Sequence, residues 1–91
     1  MRIRWTPAAA ADLQAIHEYL KEREPQWARS TIIALRQGIR KLMKFPHIGR
    51  PGRKPGTREL LHNRLPHIVV YRVVDEVVEI LHIYHPSQDT E

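Results

Sequence analysis

Residues 67–84 read His-Ile-Val-Val-Tyr-Arg-Val-Val-Asp-Glu-Val-Val-Glu-Ile-Leu-His-Ile-Tyr. Two runs rich in β-branched and aromatic residues flank Asp75-Glu76, which predicts two adjacent antiparallel strands over 67–74 and 77–84. Asp-Glu is not a favoured tight-turn pair, so the loop is expected to hold two residues or a symmetric four. Either loop gives the same register, with Arg72 opposite Glu79, Tyr71 opposite Ile80 and Val69 opposite His82. Opposite charges facing across strands support that register by roughly 0.2–1 kcal/mol. Arg72 and Glu79 are therefore read as a structural pair.

On the N-terminal side, residues 58–63 form a weaker strand. Before it, residues 46–57 hold Pro46, Gly49, Pro51, Gly52, Pro55 and Gly56, a composition that reads as a loop. Further back the period changes from two to between three and four. Ala28, Ile32, Leu35, Ile39 and Leu42 make one apolar seam of a helix opened by Pro25 and closed at Phe45-Pro46. Ala9, Leu13, Ile16 and Leu20 make the seam of an earlier helix, with Thr6 as N-cap, Pro7 in the first turn and an end near Arg23. Residues 1–5 alternate basic and apolar side chains, as a strand does. The two helices have a short connection and predict an antiparallel hairpin. The expected architecture is α+β. An N-terminal strand joins by crossing over, and the helical hairpin packs on one face of an antiparallel sheet of about four strands.

The chain has 91 residues, room for a single domain, read as residues 1–85 with a polar tail over 86–91. It has no cysteine, which excludes a disulfide scaffold, a zinc finger and a thiol nucleophile and suits the cytoplasm. No apolar run reaches the roughly 20 residues of a membrane span. The formal charge is +5. Residues 25–58 contain no acid but hold Arg29, Arg36, Arg40, Lys41, Lys44, Arg50, Arg53, Lys54 and Arg58. Positive charge concentrated in this way points to nucleic acid or an acidic protein partner. The P-loop pattern is absent and no cofactor is expected. His82 and His85, three apart on a strand, point to opposite faces, so no metal site is expected either. Trp5 and Trp27 are read as core anchors, and His47, His62 and His67 as surface residues.

Several short motifs then fall in a telling order. They are Ala11-Asp12-Leu13 with Ile16 and Tyr19-Leu20, then Pro25 with Ala28, and Phe45-Pro46-His47-Ile48-Gly49-Arg50-Pro51. After these come Gly56-Thr57-Arg58-Glu59-Leu60, Val69-Val70-Tyr71-Arg72-Val73, Val78-Glu79-Ile80-Leu81 and His85. Together they resemble the RelE/ParE superfamily of bacterial toxins from toxin–antitoxin modules, over residues 3–85. The resemblance implies a cognate antitoxin partner in a heteromeric complex, and growth arrest when that antitoxin is lost. Two branches differ in target. ParE-like members poison DNA gyrase and RelE-like members cut mRNA in the ribosome. Metal-free RNA cleavage needs a base, a cation and an acid. His85, Tyr84, Arg58, Arg50 and Lys54 are of types suited to those roles, and in a RelE-like reading His85, Tyr84 and Arg58 fill them. Against it, RelE-like nucleases carry an arginine three residues before the tyrosine of the central strand, and here that residue is Ile68. Gly-Arg-Pro, Gly-Thr-Arg-Glu-Leu and Val-Val-Tyr-Arg-Val look closer to the ParE branch. In that reading nothing is catalytic, and Arg50, Arg53, Lys54 and Arg58 bind the target. An inactive or plain nucleic-acid-binding relative is the third reading, since a fold alone does not give a function.

Overall fold

The computed structural model describes residues 1–87; the rest of the expected tail, 88–91, lies outside the described residues. The elements are β1 (Arg2–Trp5), α1 (Pro7–Arg23), α2 (Pro25–Arg40) with a 3₁₀ turn at Lys41–Met43, β2 (Arg50–Pro51), β3 (Arg58–Leu61), β4 (Ile68–Val74) and β5 (Val77–Tyr84). Among these, β2 to β5 form an antiparallel meander, and β1 adds to β5 in parallel, giving the order β1-β5-β4-β3-β2. The sheet is thus five-stranded and mixed, where about four antiparallel strands were expected. Chain direction explains the parallel pair. Six connections lie between β1 and β5, and an even number of reversals returns the chain to its first direction. The fifth strand comes from within the expected loop, where Arg50 and Pro51 pair with Glu59 and Arg58.

Local chemistry sets the helix ends. The Thr6 hydroxyl accepts from the Ala9 amide at 3.2 Å. It donates to the Ile80 carbonyl at 2.7 Å. The N-cap therefore satisfies a first-turn donor and also ties α1 to β5. Pro7 and Pro25 occupy first-turn positions, where a missing N–H costs nothing. Between the helices Glu24 closes α1 by donating to the Leu20 carbonyl at 2.7 Å. One face of the sheet takes the helices. Ala9, Leu13, Leu35, Ile39 and Leu42 pack there on Val69, Tyr71, Val78, Ile80 and Ile83. Strand alternation sends Glu59, Arg72 and Glu79 to the other face, which neither helix covers.

The central hairpin is tighter than its turn residues lead one to expect. Val74 pairs with Val77, so the loop is the two residues Asp75 and Glu76, both at positive φ (50° and 62°). That is the left-handed geometry of the hairpin turn whose twist matches the strands. Arg72 faces Glu79 and Tyr71 faces Ile80 as expected. Beyond them a bulge intervenes, and Val70 faces His82 while Val69 faces Ile83. The expected Val69–His82 pairing is therefore displaced. An acid from the helical layer holds the bulge: Asp12 Oδ2 accepts from the Ile83 amide at 3.0 Å and meets His82 Nδ1 at 3.1 Å. Trp27 also departs from expectation. It is 56% exposed, because the first turn of α2 lies beyond the packed seam that begins at Ala28. Trp5 does pack against the core, with the Arg36 guanidinium 5.8 Å from its ring centre, close enough for a cation–π contact.

Candidate functional site

The basic loop is pinned from below. Tyr71 is fully buried. Its hydroxyl donates to the Pro46 carbonyl at 2.8 Å and accepts from the Gly49 amide at 2.9 Å. Burial pushes the phenol upward from its usual pKa, against the opposing effects of the Gly49 amide and the Arg58 charge, as expected for a group whose charged form is desolvated. Gly49 has to be glycine here. A Cβ would lie 2.6 Å from the Tyr71 hydroxyl and 2.9 Å from the Glu59 carbonyl oxygen. Arg58 Nη1 donates to the carbonyls of Gly49 at 2.8 Å and His47 at 3.2 Å. The far end closes on itself, with the Gly52 amide on the Thr57 carbonyl at 2.8 Å and the Thr57 hydroxyl on the Lys54 carbonyl at 2.7 Å.

On this footing the sequence presents its charges. Arg50, on β2, forks onto buried Glu59 of β3, with Nε and Nη2 at 2.9 and 2.8 Å from Oε1. The Arg50 side chain stays 54% exposed while that of Glu59 is 7% exposed. Arg50, Arg53, Glu59, Ile68, Tyr84 and Pro86 line an open cleft of about 420 Å³ on the uncovered sheet face. Arg53 has no carboxylate partner among the described residues. Lys54 is exposed on the loop without lining the cleft. Such a surface, with Arg53 unpaired among the described residues and Arg50 held on Glu59 beside Tyr84 and Ile68, can hold a phosphate or carboxylate group.

The residues named for RNA cleavage are not gathered in this cleft. Tyr84 lines it. Arg58 pairs in register with Tyr71 and serves the loop carbonyls. His85 meets His67 edge to face, ring centres 5.5 Å apart, and its Nδ1 accepts from the Ser87 amide at 3.0 Å. His67 is not the surface residue the sequence reading made it. It is 9% exposed, its Nδ1 has no partner among the described residues, and burial together with His85 lowers its pKa. His62, by contrast, is engaged, its Nδ1 accepting from the amides of Arg64 and Leu65.

At the other end of the same sheet face, Arg72 Nε donates to Glu79 Oε1 at 2.6 Å, and Arg4 engages the second carboxylate oxygen. Sequence reading missed Arg4 because β1 comes from the far end of the chain. It missed Glu59 as the partner of Arg50 because a Pro-Gly-rich stretch gave no sign of a strand pair. Among the described residues no group of three metal-ligating side chains occurs, and no helix is long and apolar enough to cross a membrane.

Comparison with known proteins places this geometry. The family model "ParE toxin of type II toxin-antitoxin system, parDE" matches residues 3–90. The Y4kP protein of Sinorhizobium fredii, named a putative toxin, is 37% identical over 96% of this chain and 90% of its own. Toxin RelE2 of Caulobacter vibrioides is 32% identical over 92% and 93%. The solved structure of the chromosomal ParDE toxin–antitoxin system from P. aeruginosa superposes with a TM-score of 0.84 at 31% identity, covering 93% of this chain and 95% of that one. The intact E. coli RelBE toxin–antitoxin complex shares the fold, with a TM-score of 0.66 at 13% identity over 96% and 98% of the two chains. A family match along almost the whole chain, a shared helical hairpin on a shared sheet and relatives above 30% identity agree: this chain belongs to the ParE toxin family of type II toxin–antitoxin systems.

Proposed function

We propose that the chain arrests bacterial growth as a ParE-branch toxin, by binding DNA gyrase engaged with DNA, and performs no chemistry of its own. One observation carries the reading. Of Arg58, Tyr84 and His85, only Tyr84 lines the basic cleft, so Arg50 and Arg53 supply cations there but no histidine lines it to serve as base or acid. Where RelE-like nucleases resemble one another in an arginine, the cleft wall is Ile68, an apolar side chain 7% exposed. In this reading Arg50, Arg53 and Lys54 dock on the target. A cognate antitoxin with an acidic segment neutralises the toxin, its charge matched to the basic loop. Gyrase as target implies action in the cytoplasm.

The second reading is ribosome-dependent mRNA cleavage. It draws on the name of the relative RelE2 and on Tyr84 standing beside Arg50 and Arg53. Incorporation of labelled thymidine and methionine, followed for minutes after induced expression, separates the two. An early fall in DNA synthesis with translation intact supports gyrase. An early fall in translation overturns it in favour of the nuclease, and no change in either rules out both.

A further inference from the structure

The basic loop has only two short strand residues of its own, Arg50 and Pro51, to fix it to the sheet. What fixes the preceding segment is a pair of side chains from the strands beneath. Tyr71 and Arg58 face each other across β4 and β3 and between them bind three backbone carbonyls and one amide of residues 46–49. Four hydrogen bonds thus set where the chain enters Arg50. Two other features fit the same purpose. Gly49 allows the hydroxyl to approach where any Cβ would collide. The Tyr71 ring is anchored in the core, among close-packed residues that cannot shift cheaply. With its foot fixed, the loop holds Arg50 on Glu59 and Arg53 at the cleft.

We propose that Tyr71 and Arg58 are the positioning residues of the toxin's target-binding loop. They act through Arg50 and Arg53 and do not touch the target themselves. This rests on the reading of the cleft as the target site. It reassigns Arg58, whose guanidinium faces the loop backbone rather than the cleft. Tyr71 is 0% exposed and cannot reach any partner, so an effect of its hydroxyl on toxicity has to pass through the loop.

The test compares inducible growth arrest, normalised to soluble toxin, for Tyr71→Phe, Arg58→Ala, the double change Arg50→Ala with Arg53→Ala, and a core variant, Ile39→Val. Thermal midpoints and amide exchange of residues 47–50 are measured on the same proteins. Losing hydrogen bonds that hold the contact residues is expected to raise the toxin level needed for half-arrest about tenfold in Tyr71→Phe and in Arg58→Ala. Exchange at Gly49 and Arg50 should quicken in both. A stabilising change in the distant hairpin turn, Asp75→Asn with Glu76→Gly, added to Tyr71→Phe, should raise the midpoint back toward the parent's but leave the arrest as weak as in Tyr71→Phe. Ile39→Val should arrest like the parent. If Tyr71→Phe arrests at the parental level, or if regaining the midpoint regains the arrest, the positioning role is wrong and the hydroxyl is merely structural. If Arg50→Ala with Arg53→Ala arrests like the parent, the reading of the cleft has failed and this inference with it. If that double change loses arrest while Arg58→Ala and Tyr71→Phe keep it, only the positioning proposal has failed. Should Tyr71→Phe not fold, Arg58→Ala carries the same comparison.

Discussion

Replacing the hairpin turn residues together, Asp75→Asn with Glu76→Gly, should make the protein more stable and leave its toxicity alone. Both residues sit at positive φ, 50° and 62°. An L-residue in that region carries a cost of roughly 1–2 kcal/mol from the approach of Cβ to the following carbonyl. Asparagine tolerates the region better, and glycine removes the cost altogether. Against this, glycine gives the unfolded chain more freedom, worth roughly 0.5–1 kcal/mol. No hydrogen bond of the turn is lost, because the one that it makes outside the hairpin, from the Arg2 amide to the Glu76 carbonyl, uses backbone atoms. The net gain comes to about 1 kcal/mol, or about 4–8 °C in thermal midpoint for a domain of this size. Calorimetry or circular-dichroism melts of the two proteins read it directly. The turn lies beyond Val74, at the opposite end of β4 from Ile68 and the cleft. The whole length of the strand separates the two, so growth arrest per soluble toxin should not change. A midpoint that stays put or falls would refute the argument, since the strain assigned to this turn would then not exist.

Three further expectations concern how the site is held. Gly49→Ala should destabilise by about 1–3 kcal/mol, because its methyl meets the Tyr71 hydroxyl and a backbone oxygen that cannot both retreat; urea melts would show it, and a neutral result would mean that the loop is not clamped. Asp12→Ala should cost about 1 kcal/mol and quicken hydrogen exchange at Ile83, whose amide loses its acceptor at the bulge. Stability should also fall on acidification through His67. Its folded pKa lies below its unfolded value of 6.5, so the unfolded chain takes up the proton first. The contribution is complete above about pH 6.5 and is lost as pH falls through the folded pKa. Urea midpoints measured at mildly alkaline and mildly acidic pH should differ less in His67→Gln than in the parent, and an equal difference in both would clear His67 of the effect.

The helices were legible because their information is local. Thr6-Pro7 and Pro25 mark starts, and the seams through Leu13 and Leu35 repeat at helical spacing. The strand pair 67–84 was legible for the same reason, down to the Arg72–Glu79 register. That reading failed at Leu81, where the bulge is held by Asp12, a carboxylate 71 residues away from Ile83 that no strand pattern announces. His67 shows the reverse case. Period-two alternation already groups it with Val69 and Tyr71, on the side that the helices cover, so a polar name concealed a buried position. The loop charges could be read from composition, but the work of Arg58 could not. Its acceptors are backbone carbonyls, which every residue has, and only the folded path says which ones come within reach.

The carboxylate of Glu59 joins these threads. It is 5% exposed, as is Glu79, and on the sheet face that the helices leave open Glu59 lies beneath the exposed Arg50 and Glu79 beneath Arg4 and Arg72. An ion pair with one exposed partner adds only about 0.2–1 kcal/mol to stability. Its larger consequence is geometric, because a carboxylate fixed in the sheet fixes the fork of Arg50 and leaves Arg53 and Lys54 as the uncompensated charge. Glu59→Gln keeps the size of the side chain and removes its charge. Stability should fall by about 1 kcal/mol or less. Arg50 should become mobile and the cleft more positive by one charge. Non-specific affinity for duplex DNA should then rise at low salt, where counterion release dominates. Growth arrest should weaken, because a freed guanidinium binds more anions but presents no set geometry to any one of them. Filter binding at two salt concentrations and the arrest assay measure the two effects separately. If both rise together, bulk charge alone drives toxicity and the pairing of Arg50 with Glu59 is incidental. If they move in opposite directions, the buried acid is there to aim the arginine.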